Sequence, residues 1–431
     1  MKAFLASHAI VLLSVQAILV IAASRVLGLA LRRLGQPMVI AEVLAGIALG
    51  PSLLGLLAPE TSAMLFPAAS LGSLGILSQL GLIFFMFIIG LELEPQLLRG
   101  LGKSAVMISN VSIALPFILG VTVAIAIAPS WSTDSVPLTN FALFLGVAMS
   151  VTAFPVLARI LSEGGFIHTR IGALAIACAA VDDVTAWCLL ALISALVKSG
   201  SIVGAGVTLA LTFTYCLAMW FVARPLLARL VKRLPTNRRG ISQGMVGATV
   251  VMLLLSALAT EAIGVHALFG AFFFGVVVPR EGGLAHGLRE RLEDLVVVLL
   301  LPLFFAYSGL RTQIGLLDGS SAWLTAALLT LVAVLGKWGG ATLAGRASGQ
   351  TWRDANAIGV LMNTRGLMEL VILNIGLDLG VITPTVFTMM VLMALVTTVM
   401  TSPLLSLLRP KTATESWVVT VPAAPAPAEA R

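Results

Sequence analysis

About thirteen times between residues 8 and 408 the sequence runs apolar for about 20 residues and then breaks on a polar, Gly or Pro cluster. At 1.5 Å per residue, a helix of that length crosses the ~30 Å hydrocarbon core of a bilayer. The runs are too long and too continuous for barrel strands, which alternate over ~10 residues. They lie near 8–31, 37–57, 70–92, 104–128, 138–161, 170–197, 203–229, 241–262, 266–279, 291–310, 321–345, 354–377 and 383–408. Only 10% of the residues are charged, against about 25% in a soluble domain, and the mean hydropathy is +1.07. The fold class predicted is an all-α polytopic membrane protein.

Charge placement gives the topology. If the connections alternate, most of the 26 Lys and Arg fall on one side, including Arg32, Arg33, Arg99, Lys103, Arg159, Arg170, the cluster at 229–239, Arg280, Arg289, Arg291, Arg346 and Arg353. Only Lys2, Lys198 and Arg311 fall on the other. The positive-inside rule then puts the N-terminus outside and the C-terminus in the cytoplasm of an inner (plasma) membrane. It also accounts for the net charge of +7 without a nucleic-acid partner. Cys178, Cys188 and Cys216 all lie inside apolar runs with no CxxC, and read as small core residues. The first run lacks a basic lead and an A-x-A site, and is expected to be a true helix. Residues 409–431, rich in Pro and Ala, are expected to form a disordered cytoplasmic tail.

The two halves resemble each other faintly. AGIALGP at 45–51 matches GAFFFGVVVP at 270–279, FFMFIIGLE at 84–92 matches FFAYSGLR at 304–311, and GVAMSVTAF at 146–154 matches GVLMNTRGL at 359–367. Each pair is seven spans apart, an odd offset, so the copies face opposite ways across the membrane. Inverted repeats with a site at their interface are a common plan of secondary transporters.

The run at 171–197 carries two charges, Asp182 and Asp183, near its middle. Intramembrane carboxylates cost roughly 2.5–3.5 kcal/mol on insertion scales and mark pathways or pair with bases. Either they form a helix-packing ion pair, or they bind a cation and protons. The fifth run holds Ser150, Val151, Thr152 and Pro155 at membrane depth. Proline removes a donor there, so the helix is expected to open and free carbonyls for a cation, unless Pro155 merely kinks it. The twelfth run holds Asn363, Arg365 and Glu369. The last two share a face four residues apart, as a structural bridge or as compensation for broken-helix dipoles. Lys337 lies alone in an apolar run and should seek a carboxylate. Two carboxylates and one lysine suggest an exchange in which Lys337 pairs with Asp182 until Na⁺ or K⁺ displaces it. Asp182, Asp183 and Glu369 against Lys337 and Arg365 leave one negative charge, which suits a monovalent cation or a proton better than Mg²⁺ or Ca²⁺. His8, His168, His266 and His286 are scattered, and Glu42 either lines a funnel or pairs locally.

GQPMVIAEVLAGIALGPSLLG, GLELEP, SVTAFPVLARIL, AAVDDVTAWCLLAL, IGVHALFGAFFFGVVVP and NTRGLMELVILNIG, in that order, closely resemble the monovalent cation:proton antiporter-2 family, above all its plant-type cation/proton exchangers and their bacterial relatives. The resemblance covers about residues 30–408. It implies Asp183 as the essential cation- and proton-binding residue, Asp182 beside it, Thr152 with Ser150 and Val151 in an unwound helix, and Lys337 opposite. The transported Na⁺ or K⁺ would be held by Asp183 and Asp182. It implies two discontinuous crossing helices, no chemical cofactor, and a homodimer whose core (about 104–197 and 321–408) moves against scaffold helices (about 8–57 and 203–279) within an exchanger domain of 1–408. Plant-type members usually carry Asn where Asp182 stands, and a large soluble C-terminal domain that this sequence is expected to lack.

The function expected is antiport of Na⁺ and/or K⁺ against H⁺, electrogenic, for pH homeostasis, and not an enzyme activity. An organic-ion/Na⁺ symporter on the same scaffold is the alternative, though it needs a roomier polar cavity. A passive channel fits broken helices in inverted repeats less well. An intramembrane aspartyl protease needs two carboxylates facing each other, whereas neighbours on one helix diverge by ~100°.

Overall fold

A computed structural model describes residues 9–92, 103–163, 166, 169–199, 202–233, 241–280 and 283–408. Among these the chain is all-helical, with no strand. The predicted tail at 409–431, Arg99, His8, His168 and part of the basic cluster at 229–239 lie outside the described residues. Among the described residues ten helices are long and apolar enough to cross a bilayer, so the chain is a multi-pass membrane protein.

In chain order the helices are α1 (Ala9–Arg32), α2 (Met38–Leu49), α3 (Ala68–Glu92), α4 (Lys103–Trp131), α5 (Leu138–Ser150), α6 (Phe154–Glu163), α7 (Arg170–Ser199) and α8 (Ile202–Ala218). The last continues through a π-helical turn, Met219–Ala223, into Arg224–Arg233. Then follow α9 (Gln243–Ile263), α10 (Ala267–Val277), α11 (Leu284–Leu295) and α12 (Gly319–Val334). Here α11 runs on through a π turn into Leu301–Arg311, and α12 through a π turn at Leu335–Gly339 into Gly340–Ala347. The chain closes with α13 (Trp352–Met362), α14 (Leu367–Asp378) and α15 (Pro384–Leu408). Three of the thirteen predicted spans, near 138–161, 266–279 and 354–377, consist of shorter pieces: α5 with α6, α10 alone, and α13 with α14.

Packing sorts the helices into two groups. One gathers α4, α5, α6, α7, α12, α13, α14 and α15; the other gathers α1, α2, α3, α9, α10 and α11; α8 packs on both, on α7 of the first and on α9 of the second. In the second group α1 is peripheral. It buries only Leu12, Gln16, Val20, Ser24 and Gly28, a single ridge repeating every fourth residue. Its far side leaves Ile18, Val26 and Leu29 more than 60% exposed, which is costly in water and ordinary against lipid tails.

Two crossings tie this group together, and small residues allow both. Gly309 of α11 lies against the backbone of Val43 and Gly46 in α2, and Gly275 of α10 against that of Phe87 and Gly90 in α3. A Cβ on any of these four glycines would meet backbone, which has no room to yield. The repeat read from the sequence equates α2 with α10 and α3 with α11. It therefore turns the α2–α11 crossing into the α10–α3 crossing, and both are present.

The two groups also meet through ion pairs where α7, α9, α11 and α14 end. Lys198 of α7 pairs with Glu261 of α9 at 2.8 Å, and Arg311 of α11 with Asp378 of α14 at 2.7 Å. His266 feels the charge of both Lys198 and Asp378, which puts the two pairs at one end of the molecule.

Candidate ion-binding site

The site forms where two broken helices cross. After Ser150 the chain turns extended at Val151 (φ −79°, ψ 141°) and resumes helix at Phe154. Pro155 sits in the first turn of α6, where its missing N–H costs nothing, so it starts the second half rather than kinking a continuous helix. The second break runs from Asn363 to Gly366. Gly366 has φ +153°, a conformation that glycine tolerates, and a Cβ there would stand 2.9 Å from Val156 Cγ2. The breaks are joined directly: Ala153 N donates to Thr364 O at 3.1 Å.

Each break leaves carbonyls without helical partners, in a region where water does not help. At the end of α5 they are met by two cations. Arg365 donates to Ala148 O and Met149 O at 3.1 and 2.6 Å, and Lys337 donates to Ser150 O. This is the dipole compensation that the sequence left open for Arg365. Arg365 also lies 3.3 Å from Glu369, which occupies the first turn of α14 and so faces the positive end of that helix. All of Arg365, Glu369, Asn363 and Thr364 are buried. Thr398 of α15 steadies the second break, accepting from Arg365 N at 3.3 Å and donating to Arg365 O at 2.7 Å. The Asn363 amide reaches Met400 Sδ at 3.7 Å, while its Oδ1 has no partner among the described residues.

Asp182 is saturated. It accepts from Ser109 at 2.7 Å, Ser112 at 3.3 Å, Thr152 at 2.7 Å and Lys337 at 2.9 Å, and neither it nor Lys337 is exposed at all. Lys337 in turn spends its remaining donors on Ser112 O and Ser150 O. The predicted Lys337–Asp182 pair is therefore present. Ser150 contributes its carbonyl only, because its hydroxyl is committed to Val147 O at 2.8 Å.

Asp183 differs in every respect but burial. It is 3% exposed, and neither carboxylate oxygen has a hydrogen-bond partner among the described residues. The backbone of Phe154 at the start of α6 gives it a favourable interaction, but no bond of normal geometry. Two adjacent residues on one helix thus face different surroundings: α4, α12 and the α5 break for Asp182, and the head of α6 for Asp183.

Ser109, Ser112 and Thr398 were not singled out in the sequence. Two serines three residues apart in the otherwise apolar run at 104–128 are a visible signal, since a polar face in a membrane helix must point at something. Thr397, Thr398 and Thr401 on α15 carry the same signal.

Three comparisons bear on this arrangement. The sodium/hydrogen exchanger transmembrane family model matches residues 18–407. The chain is 45% identical over 402 residues to the Na⁺/H⁺ antiporter NhaS4 of Synechocystis, covering 92% of this chain and 97% of that protein. It is 43% identical to cation/H⁺ antiporter 17 of Arabidopsis thaliana and 36% to K⁺/H⁺ antiporter 1 of Saccharomyces cerevisiae. It spans about half the length of both, 48% and 46%. The sodium proton antiporter MjNhaP1 of Methanocaldococcus jannaschii superposes with a TM-score of 0.66 at 14% identity, over 94% of this chain and 97% of that one, which shows a shared fold. With its family model matched over nearly the whole membrane region and its crossed helix breaks built around buried charge, the chain belongs to the sodium/hydrogen exchanger family.

Proposed function

We propose that this protein exchanges a monovalent cation, Na⁺ or K⁺, for protons by alternating access, with Asp183 taking cation and proton in turn. The observation that carries this reading is the contrast between the two carboxylates. An ionised carboxylate with both oxygens buried and unpartnered is expensive, and a proton or a cation relieves the cost equally well. Competition for one group then gives obligatory exchange, because the core crosses only when Asp183 is loaded. The relatives named Na⁺/H⁺, cation/H⁺ and K⁺/H⁺ antiporters support the cation class.

Asp182 and Lys337 add a second step. A cation that draws Asp182 towards Asp183 weakens the Lys337–Asp182 bond, and Lys337 keeps Ser112 O and Ser150 O when that bond breaks. Proton movement at this pair, added to that at Asp183, makes the exchange electrogenic, at roughly two protons per cation. The α4–α7 and α12–α15 group would be the mobile core and the other group the scaffold, paired with a second copy as a homodimer. The N-terminus would lie outside and the C-terminus in the cytoplasm of the plasma membrane.

No buried aspartate lies on a helix other than α7 among the described residues, so nothing favours a protease site. The test is proton flux in inside-out vesicles from cells without endogenous antiporters. Na⁺, K⁺ or Li⁺ should dissipate the pH gradient with wild type and fail with Asp183→Asn. Equal flux in both would remove Asp183 from the role given to it.

A further inference from the structure

The exchange site uses none of the charge on α1. That helix carries Arg25 and Arg32, seven residues and two turns apart, hence on one face and about 10 Å apart along the axis. Both are exposed, and neither has a carboxylate partner among the described residues. They line a cavity of about 450 Å³ between α1, the start of α2 and the π turn of α11, within the range of small-molecule sites. Its rim is bare hydrocarbon: Leu29, Val297 and Val298 are 69%, 40% and 49% exposed. Its floor is polar. Gln36 is 6% exposed and its Nε2 donates to Val399 O at 3.1 Å, but its Oε1 is buried with no partner among the described residues. The buried carboxylate of Glu42 lies in the same wall.

We infer that this cavity seats the headgroup of an anionic phospholipid of the phosphatidylglycerol type. The phosphodiester lies against Arg25 and Arg32, glycerol hydroxyls donate to Gln36 Oε1 and Glu42, and the acyl chains follow Leu29, Val297 and Val298. Charge selects the phosphate. Two guanidinium groups bind a phosphate, and the exposed Leu29, Val297 and Val298 receive acyl chains that a free phosphate lacks. Hydrogen bonding selects the rest of the headgroup, because Gln36 Oε1 accepts and needs a donor. Choline offers none. Ethanolamine offers one, but its ammonium sets a third cation beside the two guanidinium groups.

The full chain, purified in a mild uncharged detergent, is titrated with phosphatidylglycerol, phosphatidylethanolamine, phosphatidylcholine and the chain-free headgroup glycerophosphoglycerol. Bound lipid is counted by native mass spectrometry and the melting temperature is followed in parallel. Phosphatidylglycerol should bind one per chain and raise the melting temperature, with the other three far behind. Arg25→Gln with Arg32→Gln should weaken phosphatidylglycerol binding about thirtyfold, about fivefold for each arginine. Both side chains are exposed, so the lipid-free melting temperature and the exchange activity of that variant should match wild type. Equal phosphatidylglycerol binding by wild type and variant would overturn the assignment, as would equal binding of phosphatidylcholine or phosphatidylethanolamine. So would full occupancy by the chain-free headgroup, which would make this an anion site. A change in oligomeric mass in the variant that lipid does not influence would make the groove a contact with a second copy instead.

Discussion

Asp182 and Asp183 are separated by one peptide bond and ~100° of helical rotation, and that rotation divides anchoring from ion binding. Asp182 holds α4, α5, α7 and α12 together through Ser109, Ser112, Thr152 and Lys337. Removing Lys337 strands a buried carboxylate, so Lys337→Ala should destabilise the protein by about 3–5 kcal/mol. The check is the thermal unfolding midpoint in detergent, against Asp183→Asn, which should unfold like wild type while losing exchange. A Lys337→Ala variant that melts like wild type would mean that the pair is not structural. At this scale the sequence was legible where charge stood out against an apolar background: the aspartate pair, Lys337, Arg365 and Glu369. Ser109, Ser112 and Thr398 escaped because a hydroxyl in a membrane helix more often bonds its own backbone, as Thr122 and Thr330 do here.

Among the elements, the crossed breaks carry the most specific requirement. Gly366→Ala combines a strained φ with a clash on Val156, and should cost about 1–3 kcal/mol while displacing the Thr364 carbonyl that Ala153 uses. The predicted result is a lower melting temperature together with weaker cation dependence of flux, and a substitution silent in both would show that the break is not held at this residue. The two ion pairs at the ends of α7, α9, α11 and α14 make a different demand. Lys198 and Arg311 were two of the three exceptions to an otherwise one-sided charge pattern, and each joins the two packing groups. Partly exposed pairs contribute roughly 0.2–1 kcal/mol each. Glu261→Gln with Asp378→Asn should therefore shift the balance between facing states by about thirtyfold at most. The shift would be seen as faster labelling of a cysteine introduced near Asp183 by an impermeant maleimide added from that end. Unchanged labelling would make them surface pairs without effect. Hydropathy placed the long helices well, but the 266–279 and 354–377 runs came out as short helices, because window averages do not see a helix end inside an apolar stretch.

For the molecule as a whole, the inverted repeat was readable from three weak sequence matches, and its packing consequence was not. Sequence could pair α2 with α10 and α3 with α11. In the fold each pairs across the repeat through glycines set against backbone, a contact that no sequence pattern encodes. Electrogenicity is a property at this scale. Asp182→Asn should reduce the charge moved per cycle towards electroneutral exchange, measured as loss of the membrane-potential dependence of flux in proteoliposomes. A retained dependence would place the second proton elsewhere. The glycine crossings have a further consequence, for time rather than for energy. Backbone locked against backbone leaves no room to slide, so the middle of α2, α3, α10 and α11 should be the slowest clock in the protein. Its amide hydrogens should outlast those around the helix breaks by orders of magnitude in exchange with heavy water, and stay indifferent to whether a cation is bound.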